Sequence, residues 1–173
     1  MSAREVVRVV DLLEVQGLQV WLDGGWGVDA LVGRQTRKHD DLDVAIVLAE
    51  ADAVIALLAG LGYQVHADEM PTRLDLRDDK DHRVDLHPLT FDQAGNGLQQ
   101  LQDGSYGTYT AEGLSGQGRV GRRPVRCLSR DLQLRFHTGY AGDDNDRHDI
   151  ELLRQLGDGP VSGSRRPAAR RNR

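Results

Sequence analysis

The sequence predicts an α/β or α+β domain built around a mixed β-sheet. Apolar residues recur at helical spacing near the N-terminus, for example at Val6, Val9 and Leu13. Short apolar strands then alternate with helices, and a hairpin pattern follows at residues 73–87. Alternation followed by an antiparallel pair is typical of a sheet with both parallel and antiparallel strands. A chain of 173 residues fits one domain with an attached piece.

The first part of the chain is predicted to hold three helices and three strands. Gly17 ends the first helix and the Gly60–Gly62 segment ends the third, because glycine readily leaves the helical conformation. In chain order, the elements are a helix over residues 3–15, a strand over 20–22, a helix over about 27–33, a strand over 42–47, a helix over about 50–60 and a strand over 63–66.

A β-hairpin is predicted next. Residues 73–77 and 83–87 both alternate polar and apolar side chains. The intervening Asp78-Asp79-Lys80-Asp81 segment is typical of a turn between two such strands. The two strands are therefore expected to lie side by side in the sheet.

The remainder of the chain is predicted to be richer in loops. Residues 92–123 are rich in Gly, Gln and Ser, and we interpret them as loops and short strands that border a binding site. A helix begins near Ser129, a capping residue, and a last helix spans about 145–156. For the arginine-rich end, a solvated tail is favoured over a nucleic-acid-binding segment. We therefore divide the chain into a core over 1–90, a C-terminal part of the same domain over 91–157 and a disordered basic tail over 158–173.

Composition and charge limit the classes of function. The net charge of −5 argues against non-specific binding to nucleic acid. The single cysteine, Cys127, excludes an internal disulfide and makes a reducing cytoplasm the default. For Cys127 itself, a small buried residue in a strand is favoured over a nucleophile. No segment approaches about 18 apolar residues, and the N-terminus lacks the apolar stretch of a signal peptide, so we expect a cytoplasmic protein without a membrane partner.

Two closely spaced carboxylates open the clearest predicted strand. Asp41 and Asp43 are two residues apart and therefore point to the same face, whereas Leu42 points to the other face. Carboxylates this close repel each other unless a cation or a proton intervenes. Mg²⁺ suits such a site, because it takes hard oxygen ligands and keeps water and phosphate oxygens as its other ligands.

A third carboxylate, Asp85, lies in a second predicted strand. Asp85 and His87 share the face opposite to Leu86. If this strand lies beside the first, Asp85 meets Asp41 and Asp43. It is then placed to deprotonate an attacking hydroxyl or to bind a second metal ion.

A glycine-rich turn precedes these acids. In this turn Gly24 and Gly25 lead from a strand towards a helix, which allows backbone N–H groups to approach a phosphate closely. Arg37 and Lys38 stand just before the acidic pair and are candidates for holding a triphosphate. Each of these signals is weak alone, but their order along the chain is far more specific.

In this order of motifs the chain resembles the nucleotidyltransferase superfamily that includes DNA polymerase β. It looks most similar to small lincosamide nucleotidyltransferases and next to aminoglycoside 2″-nucleotidyltransferases. The match extends over residues 7–156, and Gly25 is a departure, since a Gly-Ser pair is usual in the wider superfamily. The segments that carry the resemblance are residues 21–29, 36–43, 70–73, 84–88 and 136–140.

The resemblance implies a fold and a set of roles. The fold is expected to be α+β, a polymerase β-like mixed sheet flanked by helices, with residues 1–90 as the nucleotidyltransferase core. Asp41 and Asp43 are expected to bind magnesium, and Asp85 is expected to act as the general base and to share the metal site. ATP or another nucleoside triphosphate is the expected co-substrate, held by Gly24, Gly25, Arg37 and Lys38.

Acceptor recognition is expected to involve further side chains. His87 is a candidate for binding the acceptor or a phosphate, and a structural hydrogen bond is equally compatible with its position. Glu69 and Asp75 are candidates for contacting a cationic acceptor, with a solvated hairpin carboxylate as the alternative. For His137 and Tyr140, packing is favoured over ligand contact. The tyrosines of the loop-rich stretch that are candidates for lining the pocket are Tyr106 and Tyr109.

The resemblance leaves the acceptor open between two antibiotic classes. A lincosamide carries one amine and an apolar tail, whereas an aminoglycoside carries several positive charges and needs an acidic pocket. Rival interpretations are a nucleotidyltransferase that modifies proteins, an antitoxin-type partner and a magnesium-binding domain with a degraded site. Many enzymes of this size form homodimers, so a homodimer and a monomer both remain compatible with the sequence.

Overall fold

A computed structural model describes residues 1–138 and 142–157 of the chain. Within these ranges the chain forms five α-helices and nine strands. The helices are Ala3–Val15 (α1), Gly24–Val32 (α2), Ala51–Gly60 (α3), Arg130–His137 (α4) and Asp144–Gln155 (α5). The strands are Val20–Leu22 (β1), Asp41–Val47 (β2), Gln64–Glu69 (β3), Arg73–Arg77 (β4), Arg83–Phe91 (β5), Gly97–Gln100 (β6), Tyr106–Tyr109 (β7), Gln117–Val120 (β8) and Arg123–Arg126 (β9).

The main sheet is mixed, as predicted. Its strands lie in the order β1-β2-β5-β4-β3, and β6 and β7 extend it beyond β5. Strands β2 and β5 are parallel, whereas the other neighbouring pairs are antiparallel. Helix α3 and strands β3 and β4 lie between β2 and β5 in the chain, which provides the long crossover that a parallel pair requires. The predicted hairpin of β4 and β5 is confirmed, with Asp75 opposite Asp85.

The hydrophobic core lies on one face of the central strands. Leu42 and Val84 are neighbours in the β2–β5 pair, as are Val44 and Leu86, and all four are buried. Helices α1 and α3 contribute buried residues such as Val9 to the same cluster. Because side chains alternate between faces along a strand, burial of these residues turns the intervening aspartates to the opposite face.

The second helix begins earlier than the sequence predicts. Helix α2 starts at Gly24 instead of about residue 27, so both glycines belong to its first turn. Asp23 caps this helix, because its carboxylate accepts a hydrogen bond from the backbone N–H of Gly24. The helix ends at Gly33, which adopts the left-handed conformation.

The C-terminal part adds two hairpins and two helices. The loop-rich stretch contains strands β6 to β8 and begins β9, and β8–β9 forms a separate two-stranded sheet. Cys127 follows β9 and is completely buried, which raises the pKa of its thiol to about 12 and fits the expected packing role. Ser129 caps α4 as predicted, and Asp143 caps α5. The predicted tail over 158–173 lies outside the described residues.

None of the helices within the described ranges combines the length and the apolar composition that a membrane span requires.

Candidate active site

Two carboxylates meet at the centre of the sheet. Asp43 of β2 and Asp85 of β5 are direct neighbours across the parallel pair, so their side chains share one face. His87 lies on the same face, two residues further along β5. Carboxylate and imidazole atoms of Asp43, Asp85 and His87 lie within 4.8 Å of one another. Asp41 lies on β2 two residues before Asp43, opposite Arg83, and does not belong to this group of three.

The electrostatics of this group favour the binding of a cation. Burial raises the pKa of Asp85 to about 6; Asp43 adds to the rise, whereas His87 and Arg73 oppose it. Burial also raises the pKa of Asp41, again with a contribution from the charge of Asp43. The Oδ1 atom of Asp85 is buried and accepts no hydrogen bond from the described residues. A buried carboxylate oxygen without a hydrogen bond, beside a second carboxylate, is a donor set that suits a hard divalent cation.

His87 links Asp43 to the neighbouring hairpin. Its Nε2 lies 3.5 Å from Oδ1 of Asp43, and its Nδ1 lies 3.1 Å from the amide nitrogen of Gln99. Burial alone lowers the pKa of His87, but the hydrogen bond and charge of Asp43, together with Asp23 and Asp85, raise it to about 9. His87 is therefore held firmly beside one of the proposed metal ligands.

The first turn of α2 lies directly against Asp43. A Cβ atom at Gly24 would collide with Oδ2 of Asp43, and the backbone of Gly24 has a φ of +52°. A Cβ atom at Gly25 would collide with the side chains of Arg37 and His39. Glycine at both positions therefore brings a helix N-terminus to the edge of the acidic group, where the N–H of Gly24 donates to the Asp23 carboxylate.

The two basic residues predicted to hold phosphate differ in their surroundings. Arg37 makes two contacts with the buried carboxylate of Asp149, from Nε at 3.2 Å and from Nη2 at 2.7 Å. Lys38 has a side chain that is 89% exposed and lies 4.0 Å from Asp40 at the rim. Both line the cleft, but Arg37 is already paired with an acid from a helix that lies far away in the chain.

These groups open into one cleft with a volume of about 1040 Å³. One end is formed by the first turn of α2 and by the acids of β2. The C-terminal end of β3, the start of β4 and the β6–β7 hairpin also line the cleft, as do residues of α4 and α5. Residues that line the cleft include Asp23, Gly24, Gly25, Arg37, Lys38, Asp41, Asp43, Glu69, Arg73, His87, Gln99, Leu101, Gln102, Tyr109, Phe136 and His137.

The candidates for acceptor contact divide into two groups. Glu69, His87 and His137 line the cleft, and Nδ1 of His137 lies 3.0 Å from Oδ1 of Asp146. The structure places the other two candidates, Asp75 and Tyr106, outside the residues that line the cleft.

Different causes remove Asp75 and Tyr106 from the cleft. Asp75 is 2% exposed and is paired with Arg77 at 3.0 Å and with Arg83 at 3.6 Å. It is therefore neither an acceptor contact nor the solvated carboxylate that the sequence allowed. Tyr106 is 58% exposed and points away from the cleft, whereas Tyr109, three residues later, is buried and lines it. Tyr140 lies outside the described residues.

Sequence analysis missed several residues that line the cleft, among them Asp23, Arg73 and Gln99. The carboxylate of Asp23 caps α2 and lies 3.4 Å from the hydroxyl of Tyr109. Its position just before two glycines is a helix-capping signal that could have identified it. Gln99 donates to the carbonyl of Thr72 and accepts from Tyr109, and nothing in its local sequence distinguishes it from its neighbours Gln100 and Gln102.

Comparison with protein families gives one match that covers most of the chain. The model of the aminoglycoside-2″-adenylyltransferase family matches residues 5–153. A lincosamide resistance protein of Staphylococcus haemolyticus is 31% identical over 90% of this chain and 96% of its own length. A 2″-aminoglycoside nucleotidyltransferase of Escherichia coli is 28% identical over 79% of this chain and 72% of its own length.

Solved structures show the same pattern. The lincomycin-bound lincosamide antibiotic adenylyltransferase LnuA has a TM-score of 0.80 and 32% identity, covering 88% of this chain and 96% of its own. The structure of ANT(2″)-Ia in complex with adenylyl-2″-tobramycin has a TM-score of 0.69 and 22% identity, covering 90% of this chain and 89% of its own. These likenesses confirm the nucleotidyltransferase fold that the sequence predicts.

Proposed function

The chain belongs to the aminoglycoside-2″-adenylyltransferase family of nucleotidyltransferases, and from this premise we propose that it transfers AMP from ATP to a hydroxyl group of a lincosamide antibiotic. The observation that carries the proposal is the pairing of Asp43 with Asp85 across two parallel strands. Asp43 lines a large cleft beside the N-terminus of α2, and Asp85 adjoins it from beneath the lining residues. A cation site next to a helix N-terminus suits a metal-bound triphosphate.

The carboxylates provide the proposed chemistry. Asp41 and Asp43 would hold Mg²⁺, with Asp85 close enough to share it, and the ion supplies positive charge to the phosphate oxygens when it is bound. Asp85 accepts the proton of the acceptor hydroxyl while the oxygen of that hydroxyl attacks the α-phosphorus. A new P–O bond forms to the acceptor, the bond to the β-phosphate oxygen breaks, and pyrophosphate leaves.

The chain binds the triphosphate at the α2 end of the cleft in this proposal. The N–H group of Gly25 faces the phosphates in this proposal, whereas that of Gly24 already donates to the carboxylate of Asp23, and the exposed Lys38 at the rim adds a positive charge. Arg37 contributes a positive charge at a fixed position, because Asp149 holds its guanidinium. Its Nη2 lies beside Gly25, where a Cβ atom would meet it, and its Nη1 donates to the carbonyl of Lys38 at 3.3 Å.

Two observations favour a lincosamide as the acceptor. The lincosamide resistance protein matches more of this chain, and more of its own length, than the aminoglycoside enzyme does. The acceptor side of the cleft also contains apolar surface from Leu101, Tyr109 and Phe136, which suits an acceptor with an apolar tail. An aminoglycoside is the second candidate, because the matching family model is that of the 2″-adenylyltransferases.

Release of pyrophosphate from ATP tests the proposed function. Purified protein with ATP and magnesium should release pyrophosphate when lincomycin is present and not when it is absent. Mass spectrometry should show lincomycin enlarged by one AMP unit. Asp43→Asn and Asp85→Asn should each lower turnover by roughly two to four orders of magnitude.

A matched substitution separates loss of chemistry from loss of fold. Asp79→Asn removes an exposed carboxylate from the turn between β4 and β5, outside the cleft, and should leave turnover unchanged. If Asp85→Asn retains turnover similar to that of Asp79→Asn, Asp85 is not the base. Turnover with tobramycin but not with lincomycin would instead favour the second candidate.

A further inference from the structure

One arginine stands over the proposed base. The Nε of Arg73, at the start of β4, lies 3.4 Å from Oδ1 of Asp85. The Arg73 side chain is 40% exposed and lines the cleft, whereas that of Asp85 is 13% exposed and lies beneath it. Arginine stays protonated at any pH that a folded protein experiences, so Arg73 is a fixed positive charge at this point.

Two acids on the same side of the cleft as Arg73, Glu69 and Asp103, form hydrogen bonds within the protein. Glu69 faces Arg73 across the β3–β4 pair, with Oε2 at 4.0 Å from its Nε, and accepts a hydrogen bond from the Gln102 amide at 3.0 Å. Asp103 accepts bonds from the backbone N–H of Ser105 at 2.9 Å and from its hydroxyl at 2.6 Å. These hydrogen bonds fix the two carboxylates in place but leave them negatively charged, so Arg73 and the acids act together on a charged acceptor.

This arrangement constrains how an acceptor can react. A hydroxyl that gives its proton to Asp85 must come within about 2.6–3.2 Å of a carboxylate oxygen. It therefore enters beside the guanidinium of Arg73, and the groups next to that hydroxyl on the acceptor come close to the same positive charge. Guanidinium N–H groups are good donors to neutral hydroxyl oxygens and repel ammonium groups.

We infer that Arg73 is an acceptor-specificity residue, which favours a neutral polyhydroxylated sugar at the base and disfavours an acceptor with an ammonium group next to the reacting hydroxyl. The inference rests on the proposed function and makes it more specific. Glu69 is also charged and attracts a cation, but it stays in place when Arg73 is replaced, so a change in the binding of a cationic acceptor reports the charge of Arg73. Lincomycin presents neutral hydroxyl groups on its sugar, which this charge favours. Tobramycin, a polycationic aminoglycoside, presents ammonium groups, which it disfavours.

Inhibition by tobramycin tests this inference. Turnover of lincomycin is measured at increasing tobramycin concentrations for the wild type, Arg73→Gln, Arg73→Met and Arg73→Lys. The two neutral variants should lower the inhibition constant of tobramycin by about tenfold, the order expected for removing one like-charge contact at a partly solvated site. Arg73→Lys keeps the charge and should stay within about twofold of the wild type.

Arg77→Gln is the matched control. Arg77 lies on the same strand and also pairs with an aspartate, Asp75, but it does not line the cleft. Its removal should leave the tobramycin inhibition constant unchanged. Thermal unfolding of each variant identifies any that fails to fold. Because Arg73→Gln and Arg73→Met both remove the charge, either one can test the inference if the other does not fold.

The outcomes separate this inference from the proposed function. An unchanged inhibition constant in both neutral variants would overturn the role of Arg73 while leaving the proposed function intact. A shift of the same size in the inhibition constant of Arg73→Lys would show that charge is not the cause, and this result would also overturn the inference. If the wild type does not modify lincomycin, the proposed function fails, and calorimetric binding of tobramycin to the same variants then decides the charge effect by itself.

Discussion

At the scale of single residues, Asp85 occupies an environment that opposes its ionisation. Its carboxylate is mostly buried, a second carboxylate adjoins it, and its Oδ1 accepts no hydrogen bond from the described residues. The folded protein therefore holds a proton on Asp85 more tightly than the unfolded chain does. Such a site sacrifices stability in order to place a base and a cation-binding group in the cleft.

The stability of Asp85→Asn should depend on pH in a defined direction. Burial raises the pKa of Asp85 from its ordinary value of 3.8 to about 6 in the folded state, so its contribution to the free energy of unfolding falls as pH rises between these values. At pH 8 without magnesium, Asp85→Asn should be more stable than the wild type by up to about 3 kcal/mol, which is a rise of several degrees in Tm. By pH 4.5 most of this difference should disappear.

Magnesium provides the contrast for this measurement. If the folded wild type binds the ion, excess magnesium should raise its Tm and narrow the difference from Asp85→Asn at pH 8. A wild type that is more stable than Asp85→Asn at pH 8 without magnesium would contradict the assignment of Asp85 as a buried, unfavourable charge.

At the scale of elements, the β6–β7 hairpin supports the acidic group from the side. Gln99 donates from its amide nitrogen to the carbonyl of Thr72 at 2.9 Å and accepts from the hydroxyl of Tyr109 at 2.9 Å. The same nitrogen lies 3.1 Å from Nδ1 of His87, whose other nitrogen faces Asp43. The hairpin thereby fixes the orientation of the imidazole beside the proposed metal ligand, as outer partners of ligands commonly do.

Gln99→Leu should disturb the site more than the fold. It removes the contact of Gln99 with Nδ1 of His87, leaves the Thr72 carbonyl without its hydrogen bond and leaves the Tyr109 hydroxyl with only its longer contact to Asp23, at a cost of about 1–3 kcal/mol in unfolding free energy. Loss of an outer partner should lower kcat/KM for lincomycin by roughly 10- to 100-fold. Steady-state kinetics and thermal unfolding measure both effects.

The neighbouring residue offers the comparison. Gln100→Leu changes the same residue type on the same strand, but its side chain points to the opposite face and does not line the cleft. Equal losses of kcat/KM in the two variants would mean that Gln99 acts through the hairpin as a whole and not through His87.

At the scale of the whole molecule, an ion pair joins helix α5 to the wall of the cleft beside the first turn of α2. Arg37 precedes β2, and Asp149 lies on α5; 112 residues separate them in the chain. The Asp149 carboxylate is 1% exposed and the Arg37 side chain is 22% exposed. A buried acid of this kind is expected to depend on its partner, because an unpaired charge in the interior is costly.

Asp149→Ala should therefore destabilise the protein markedly. The loss should be about 2–4 kcal/mol, because Arg37 is left partly buried without its carboxylate. Since Arg37 would also lose its fixed orientation, the KM for ATP should rise in this variant. Chemical denaturation and steady-state kinetics provide the two measurements.

An exposed ion pair on the same helix provides the control. Asp144 contacts Arg147 and its side chain is 94% exposed, so Asp144→Ala should cost no more than about 1 kcal/mol. A similar cost in both variants would indicate that the Arg37–Asp149 pair makes no special contribution to docking α5.

Much of this protein followed from local patterns in its sequence. The alternation of Asp41, Leu42 and Asp43 determined which side chains face the core and which face solvent, because successive side chains of a strand point to opposite faces. Periodicity, capping residues and glycines likewise placed most helices and strands to within a few residues. The same kind of signal indicated that Gly24 and Gly25 lead into a helix.

The tertiary structure decided which distant residues meet. Only the register of β2 and β5 brings Asp85 against Asp43, and only the packing of α5 pairs Asp149 with Arg37. Asp75 was a plausible surface acid in the sequence, yet two arginines and burial remove it from the cleft. The physical reason is that strand pairing and charge pairing between remote segments depend on the whole topology, whereas spacing along the chain constrains only the conformation and facing of each segment.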